Sequence, residues 1–281
     1  MTAATSMRIA DARVSTLKLA VVGASGRMGR AVVRLAHDLD GAEIVCAIGA
    51  TEVGVDAGEL AGVRRIGVSV TSHMAALATS GADVVIDFSS AAATALLAET
   101  AAHAKIAIVS GTTGLDDAAK AALDRASASV GVLWEPNMSV GVHVLGEIVR
   151  RALTALGPAF DIEIVETHHQ RKVDAPSGTA LSLAKIAQAA RGDTTHLVHG
   201  REGRPGARTA GEIGVHAMRG GDVIGDHTVH LLGDGERLEL THRATSRDVF
   251  AHGALRAARW IAARPAGRYA LADVLDGSVK T

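Results

Sequence analysis

The sequence predicts an α/β protein with a doubly wound parallel sheet in its first part and an α+β region with a mixed or antiparallel sheet in its second. Up to residue 138, short β-rich apolar runs alternate with helical patterns, which is typical of parallel sheets covered by helices. Farther on, strand-like segments are separated by Gly-Gly-Asp at 220–222 and Gly-Asp-Gly at 233–235, which favour hairpin turns. The change of pattern predicts two structural regions.

Composition limits the classes of protein and partner. The chain has 281 residues, of which 48% are hydrophobic and only 2% aromatic. This length suits two domains, and a core of Ala, Val, Leu and Ile suits helices packed on a parallel sheet. The net charge is −1 and Lys and Arg form no long run, so neither nucleic acid nor an anionic membrane is a predicted partner.

Several features of the sequence bear on location. No segment approaches the ~20 consecutive apolar residues that cross a membrane, and residues 1–16 lack the apolar core of a secretory signal. The single cysteine, Cys46, cannot form an intrachain disulfide, which is typical of a reducing compartment. We therefore expect a cytoplasmic protein.

The apolar runs of the first half have the length and β-branched content of buried strands. The predicted strands are Leu17–Val22, Ala42–Ile48, Ala82–Asp87, Lys105–Val109 and Val130–Trp134. Three helices are predicted: one that begins at Arg30, one at Ala91–His103 and one at Asp116–Ser129. Ligands of such sheets bind beyond the carboxyl ends of the strands. Small, hydroxyl and amide residues follow those ends at 88–90, 111–114 and 135–138, where they suit hydrogen bonding to a ligand.

The turn after the first strand, Gly23-Ala-Ser-Gly-Arg-Met-Gly29, spaces its glycines as G-x-x-G-x-x-G between a strand and a helix. Gly23 allows a tight turn, Gly26 lets the backbone approach a pyrophosphate, and Gly29 lets helix and strand pack closely. This context predicts a dinucleotide-binding turn. The alternative is that the glycines serve only a tight connection between strand and helix.

The residues after the second strand bear on which nucleotide binds. An NAD site usually has an acid about 20 residues beyond the glycines, where it bonds the ribose 2′-OH. This chain has Gly49-Ala50 there, and Glu52 is the nearest acid. Arg27, in the glycine turn, could instead face the 2′-phosphate of NADPH. The sequence leans toward NADPH and leaves NADH open.

The segment from Glu166 to Ala180, Glu-Thr-His-His-Gln-Arg-Lys-Val-Asp-Ala-Pro-Ser-Gly-Thr-Ala, concentrates groups suited to proton transfer and anion binding. Histidine titrates closest to neutral pH, and the neighbouring cations would hold an anion against His168 and His169. The turn at 177–179 opens a helix and adds backbone N–H groups and the positive end of a helix dipole. The alternative is a solvated basic loop followed by an ordinary capped helix.

The remaining elements follow from alternation, hairpin chemistry and helical periodicity. A flexible loop is predicted at 200–206, where glycines, charges and a proline cluster. The predicted strands are Phe160–Glu166, Ile213–Met218, Val223–Leu232 and Arg237–Ala244, and the predicted helices are Leu181–Arg191 and Asp248–Ala263.

A metal site is not predicted. His196 and His199 have ligand-like spacing, and His168 with His169 could join them. However, adjacent histidines at the end of a strand point to opposite sides, and no Cys or H-E-x-x-H pattern accompanies them. Scattered surface and loop histidines account better for these residues.

Together these motifs closely resemble the bacterial 4-hydroxy-tetrahydrodipicolinate reductase family, also called dihydrodipicolinate reductases. The resemblance runs from about Leu17 to Asp276, and its most specific part is the His-His-x-x-Lys-x-Asp-Ala-Pro-Ser-Gly-Thr-Ala run at 168–180. The other matching segments are Gly-Arg-Met-Gly at 26–29, Asp-Ala-Gly-Glu-Leu-Ala at 56–61, Ile-Asp-Phe-Ser at 86–89, Gly-Thr-Thr-Gly at 111–114, Asn-Met-Ser-Val-Gly at 137–141, Gly-Asp-Val-Ile-Gly-Asp-His-Thr at 221–228 and Glu-Leu-Thr-His-Arg-Ala at 239–244.

The resemblance implies a Rossmann-type nucleotide-binding domain at 17–138 and 248–281, with an inserted α+β domain at 139–247. The inserted domain would bind substrate and build a homotetramer. The implied reaction is the reduction of 4-hydroxy-tetrahydrodipicolinate by NADPH and/or NADH in diaminopimelate and lysine biosynthesis.

The resemblance also implies roles for individual residues. His168 would be the proton donor or acceptor and Lys172 a second proton donor, while His169, Gly178 and Thr179 would contact the dicarboxylate substrate. The implied cofactor contacts are Gly23, Ala24, Ser25, Gly26, Arg27, Met28, Gly111, Thr112, Thr113, Glu135, Pro136, Asn137 and Met138.

Three positions depart from the family pattern. Gly49 stands where members often have an acid, Gln170 where a basic residue is common, and Glu135 where a small residue is frequent. Two other functions are possible for such a chain: another Rossmann-fold dehydrogenase, acting on a semialdehyde, homoserine or a sugar, and a redox-sensing NADP-binding protein without catalysis. Neither gives a reason for His168 and Lys172 ahead of Pro-Ser-Gly-Thr.

Overall fold

The computed structural model describes residues 16–192 and 194–276. The strands are β1 (Leu17–Val22), β2 (Ala42–Ile48), β3 (Val70–Thr71), β4 (Val84–Asp87), β5 (Ala107–Ser110), β6 (Gly131–Trp134), β7 (Asp161–His168), β8 (His196–Val198), β9 (Glu212–Arg219), β10 (Gly225–Gly233), β11 (Glu236–Ala244) and β12 (Gly267–Tyr269). The α-helices are α1 (Arg27–His37), α2 (Ala57–Leu60), α3 (Ala91–Ala104), α4 (Asp117–Ala126), α5 (Val140–Leu156), α6 (Gly178–Arg191), α7 (Asp248–Ile261) and α8 (Leu271–Asp276). Short 3₁₀ helices lie at Met74–Thr79 and Gly157–Ala159.

The first sheet is parallel throughout and has the order β12-β6-β5-β4-β1-β2-β3. Strand β1 lies inside the sheet, between β4 and β2, and divides its side chains between two apolar layers. Leu19 and Val21 pack into the layer that contains α1 and α7, whereas Ala20 and Val22 pack into the layer that contains α3 and α4. Helices therefore cover both faces, and the predicted doubly wound Rossmann-type sheet is confirmed.

The second sheet has the order β11-β10-β7-β9-β8 and is mixed, because β7 is antiparallel to β10 and parallel to β9. Helices α5 and α6 cover one face. Along β7, Ile162, Ile164, Glu166 and His168 are buried, while the alternate residues are more exposed. The predicted α+β region with a mixed or antiparallel sheet is confirmed, and its core face ends at two residues of the histidine segment.

The structure adds elements that the sequence did not predict. β3 and β12 form the two edges of the first sheet and are too short to show a periodic pattern. No helix is predicted over α5, although Leu145, Val149 and Leu153 recur at helical spacing and are buried. The loop at 200–206 lacks regular structure, and Arg201 binds Glu163 on β7 at 2.8 Å. None of the helices in the described ranges is long and apolar enough to cross a lipid bilayer.

A buried carboxylate holds the segment between β2 and β3. Asp56 caps α2 and its side chain accepts four backbone N–H groups, from Gly58, Glu59, Ile66 and Gly67, at 2.7–3.2 Å. Burial raises the pKa of Asp56, but these four hydrogen bonds outweigh it, so the pKa lies below its ordinary value. The ionised side chain therefore closes this loop against the sheet.

We expect Asp56→Asn to lower the free energy of unfolding at pH 7 by about 1–3 kcal/mol, because the amide replaces an acceptor oxygen with a donor. The folded-state pKa of Asp56 is lowered, so its stabilisation is present above the unfolded pKa and is lost as pH falls through the folded value. Urea unfolding between pH 3 and 7 measures both effects. The control is Asp117→Asn, an exposed residue. A gap between wild type and Asp56→Asn that stays constant down to pH 3 would contradict this account.

Candidate active site

The glycine turn connects β1 to α1 with little room for side chains. Gly23 has φ +84°, and Gly26 is the residue before the helix. A Cβ on Gly29 would lie 2.1 Å from the carbonyl oxygen of Gly23. The turn therefore depends on glycine at Gly29, and it sets the N-terminus of α1 beside the ends of β1 and β4.

The carboxyl ends of the strands open into a cleft of about 460 Å³. Phe88 and Ser89, which follow β4, form part of its wall. The predicted nucleotide contacts that line it are Gly26, Arg27, Met28, Gly111, Thr112, Thr113, Pro136 and Met138. The structure thus brings the glycine turn and the two rim segments to one cavity.

The cleft wall differs from the prediction at several residues. Arg247 and Phe250 line it, although the sequence did not single them out as site residues. They lie where the chain passes from β11 to α7 and returns to the first sheet. The predicted return of the chain to the first domain at residue 248 was the signal that could have located them. The predicted contacts outside the wall are Gly23, Ala24, Ser25, Glu135 and Asn137.

A buried carboxylate organises the rim between β4 and β5. Asp87 is fully buried and accepts hydrogen bonds from the hydroxyls of Ser89 (2.5 Å), Thr94 (2.7 Å), Ser110 (2.8 Å) and Thr112 (2.9 Å). Ser89 and Thr112 also line the cleft. Asp87 therefore fixes two cleft residues without itself reaching the cavity, a role that no local sequence pattern indicated.

The end of β2 carries Gly49 in place of the acid that an NAD site usually has, and the Ser25 side chain lies against it. A Cβ on Gly49 would lie 2.7 Å from Ser25 Oγ. Arg30 donates to the Ser25 carbonyl at 2.9 Å and lies 3.8 Å from Glu52. Arg27 lines the cleft and has no hydrogen bond or ion pair within the described ranges. Arg27 is therefore a cation available to a ligand.

His168 ends β7 on its buried face, and Glu166, two residues earlier, lies on the same face. Their side chains meet at 2.7 Å between His168 Nδ1 and Glu166 Oε2. Glu166 is fully buried and also accepts two N–H groups of Arg219, at 2.8 and 2.9 Å, and the backbone N–H of Ser177 at 2.9 Å. Burial raises the pKa of Glu166, but the hydrogen bonds from Arg219, His168 and Ser177 outweigh this effect. The pKa of Glu166 therefore lies below its ordinary value, and the carboxylate is ionised.

His169 and Lys172 lie in the turn after β7. The Lys172 Nζ donates to Asp174 at 2.8 Å. His169 Nδ1 is buried without a hydrogen-bond partner in the described structure. Partial burial and then the charges of Arg171 and Arg247 lower the pKa of His169. Arg247 also lines the nucleotide cleft, so one cation acts on His169 and borders the cleft.

The N-terminus of α6 meets the rim of the first sheet. The Ser177 hydroxyl caps the helix by accepting from the Ala180 N–H at 3.1 Å. A Cβ on Gly178 would meet no described atom within 4 Å, so this end opens onto free space. Asn137 Nδ2 donates to Thr179 Oγ1 at 2.8 Å. A predicted cofactor contact and a predicted substrate contact are therefore hydrogen-bonded to each other.

His227 on β10 is a buried neighbour that the sequence did not reveal. Its ring packs edge to face on His168 with centroids 5.2 Å apart, and its Nε2 lies 3.0 Å from the Ser177 hydroxyl. Burial, and then the charge of His168, lowers the pKa of His227 to about 4. His227 is therefore neutral at pH 7 and adds no charge beside His168.

Glu135 does not face the nucleotide cleft. It lines a smaller cavity of about 130 Å³ together with Asn137 and Thr179, and it accepts the Leu271 N–H at 3.4 Å. Burial raises the pKa of Glu135. This departure from the family pattern therefore places an acid beside the junction of α6 with the rim.

The histidines with ligand-like spacing are not gathered at one point. His196 begins the short strand β8, in the polar region where no strand was predicted. Across the described parts of the chain, no three His, Cys, Asp or Glu side chains are placed to hold a metal ion.

The sheet order, the glycine turn and the cleft define a class: a Rossmann-type oxidoreductase that uses a pyridine nucleotide. Two family models match the chain, "Dihydrodipicolinate reductase, N-terminus" over residues 17–138 and "Dihydrodipicolinate reductase, C-terminus" over residues 141–275. The chain therefore belongs to the dihydrodipicolinate reductase family, as the sequence motifs predicted.

Similar proteins agree with this membership. The 4-hydroxy-tetrahydrodipicolinate reductase of Anaeromyxobacter sp. strain Fw109-5 is 51% identical over 262 residues, covering 92% of this chain and 97% of that protein. The enzyme of the same name from Alkalilimnicola ehrlichii is 47% identical over 265 residues, covering 92% and 99%. The dipicolinate-bound dihydrodipicolinate reductase from Paenisporosarcina sp. TG-14 has a TM-score of 0.73 at 23% identity over 91% of this chain and 97% of that one, so it shares the fold.

We expect Asp87→Asn to weaken binding of reduced nicotinamide nucleotide by roughly tenfold, because the amide cannot accept from every hydroxyl that holds Ser89 and Thr112. Fluorescence titration of the bound nucleotide measures this. The control is Asp83→Asn, which removes a carboxylate that accepts from Lys18 N–H just before β4, at the amino ends of the strands. Equal affinity in wild type and a folded Asp87→Asn protein would show that Asp87 does not organise the cleft.

Proposed function

We propose that the protein reduces 4-hydroxy-tetrahydrodipicolinate to tetrahydrodipicolinate with NADPH or NADH, and so serves diaminopimelate and lysine biosynthesis. Relatives that are 51% and 47% identical over nearly their whole length bear this enzyme's name, and a protein of the same fold was solved with a dicarboxylate, dipicolinate, bound. The observation that carries the proposal is the hydrogen bond between Asn137 and Thr179, because it sets the anion-binding end of α6 against the nucleotide rim.

The proposed chemistry divides between cofactor and protein. The nicotinamide supplies a hydride, and the substrate atom that gains electron density then needs a proton. His168 and Lys172 are the proposed proton donors, and a well-placed donor contributes about 10²–10⁴ in rate. His169, Gly178 and Thr179 are the proposed substrate contacts, where the positive end of α6 offsets carboxylate charge. Lys172 would exchange Asp174 for the substrate.

We propose a division into a nucleotide domain at 17–138 and 248–281 and a substrate domain at 139–247; residues 277–281 lie outside the described part. The return of α7 to the first sheet supports this division. The face of the second sheet opposite α5 and α6 is the proposed contact between the four copies of a tetramer, since Thr228 and His230 on it are only partly buried. The cytoplasm is the proposed location.

We expect the purified protein, given the condensation product of aspartate semialdehyde and pyruvate, to oxidise NADPH. His168→Gln and Lys172→Ala should each lower kcat by about 10²–10⁴, because each removes a proposed proton donor. The decrease in absorbance of the reduced nucleotide measures the rate.

The matched controls are His252→Gln on α7 and Lys185→Ala on α6, two exposed side chains that should keep wild-type rates. Wild-type turnover in His168→Gln or Lys172→Ala would contradict the catalytic assignments. A wild type that binds nucleotide without turnover would favour a redox sensor. A rate that depends on homoserine or a sugar would favour another dehydrogenase.

The proposed cofactor preference is for NADPH. Gly49 leaves no acid at the end of β2, and Ser25 occupies the space that a side chain there would need. Arg27 lines the cleft as a cation without a partner among the described residues. A guanidinium of this kind suits a phosphate group, to which it can donate two hydrogen bonds.

We expect Arg27→Ala to weaken NADPH binding roughly tenfold more than NADH binding, because only NADPH carries the 2′-phosphate. Dissociation constants for both reduced nucleotides, measured in wild type and variant, give this ratio, and NADH is the internal control. An equal loss for the two nucleotides would assign Arg27 to the shared pyrophosphate.

A further inference from the structure

The hydrogen bonds of Glu166 determine which nitrogen of the His168 ring carries a proton. Glu166 accepts four hydrogen bonds: Oε1 from Ser177 N–H and Arg219 Nη2, and Oε2 from His168 Nδ1 and Arg219 Nη1. An ionised carboxylate only accepts hydrogen bonds. The proton of the 2.7 Å contact must therefore reside on His168 Nδ1.

This contact determines which nitrogen of His168 can exchange a proton with a ligand. With Nδ1 protonated, the neutral ring presents a lone pair at Nε2, and the charged ring presents an N–H there. The described residues offer Nε2 no hydrogen-bond partner, and a Cβ on Gly225 would lie 3.0 Å from it. The glycine at 225 thus keeps this nitrogen clear.

We propose that Glu166 and Arg219 are positioning residues that fix His168 as the Nδ1–H tautomer and direct Nε2 to the substrate. This proposal rests on the proposed role of His168 as proton donor. Arg219 neutralises the buried carboxylate while leaving one lone pair of Oε2 for His168. It also donates to the Asp174 carbonyl at 2.7 Å, and Asp174 holds Lys172. One guanidinium therefore positions both proposed proton donors.

The charged and titratable groups around the His168 ring assign the electrostatic effect to Glu166. His227 is neutral at pH 7 because burial lowers its pKa to about 4, so it adds no charge beside the His168 ring. Glu166 is the anion in contact with that ring, and it therefore stabilises the charged form of His168. The groups facing the ring are Glu166 on β7, His169 and Lys172 on the following turn, Arg219 on β9 and His227 on β10.

The experiment combines ¹⁵N NMR of the histidine rings with pH–rate profiles of the full-length protein. We expect wild-type His168, assigned by its loss in His168→Gln, to show the Nδ1–H tautomer. In Glu166→Gln the tautomers should mix, and kcat should fall by about 10–100-fold with a smaller change in KM. The high-pH limb of the kcat profile should move to lower pH, because the protonated ring loses the carboxylate that contacts it. Glu166→Asp should restore part of the rate.

The matched control is Glu163→Gln. Glu163 lies on the other face of β7 and also accepts from an arginine and a histidine, Arg201 and His216. The Glu163→Gln substitution should leave the His168 tautomer and the pH profile of kcat unchanged. Arg219→Lys, which keeps the charge but not the paired geometry, should give a smaller rate loss than Glu166→Gln.

A wild-type His168 in the Nε2–H form would overturn the proposal without any variant. An unshifted high-pH limb in a folded Glu166→Gln protein would also overturn it. Absence of turnover in wild type would contradict the proposed function instead, and the ring tautomer would still decide the positioning role.

Discussion

One buried carboxylate, Glu166, organises the end of the second sheet that carries the proposed proton donors. It has no exposed surface, so its charge must be stabilised by groups of the protein rather than by water. Those groups come from three elements: Arg219 from β9, Ser177 from the start of α6, and His168 from β7 itself. The contacts that keep this carboxylate stable in the interior therefore also orient His168 and bring the N-terminus of α6 beside it.

The nucleotide rim also contains a buried carboxylate, and its hydrogen-bond donors are neutral hydroxyls. Asp87 is fully buried and is satisfied by four hydroxyls, two of them on residues that line the cleft. The rim and the histidine segment belong to different sheets, and the bond between Asn137 and Thr179 joins them. Each sheet thus carries a buried acid that positions residues of the proposed site, and the Asn137–Thr179 hydrogen bond is a polar contact between the two regions.

Local patterns in the sequence were sufficient for the long strands, the glycine turn and the histidine segment, because each is a contiguous run with its own periodicity or motif. They were insufficient for β3 and β12, which have two and three residues. They also could not identify partners: Arg219 is 53 residues from Glu166, and Thr179 is 42 from Asn137. The pairing of β7 with β9 brings Arg219 to Glu166, and the packing of α6 against the rim brings Thr179 to Asn137. Both are properties of the folded chain.

The most direct test is a crystal structure of the protein with both reduced nucleotide and dipicolinate. We expect nicotinamide in the cleft at the ends of β4–β6, a dipicolinate carboxylate at the N-terminus of α6, and His168 Nε2 within about 3.5 Å of the bound ring system or its carboxylates. Dipicolinate bound elsewhere, with His168 and Lys172 facing only solvent, would contradict the claim that the two sheets converge on one substrate.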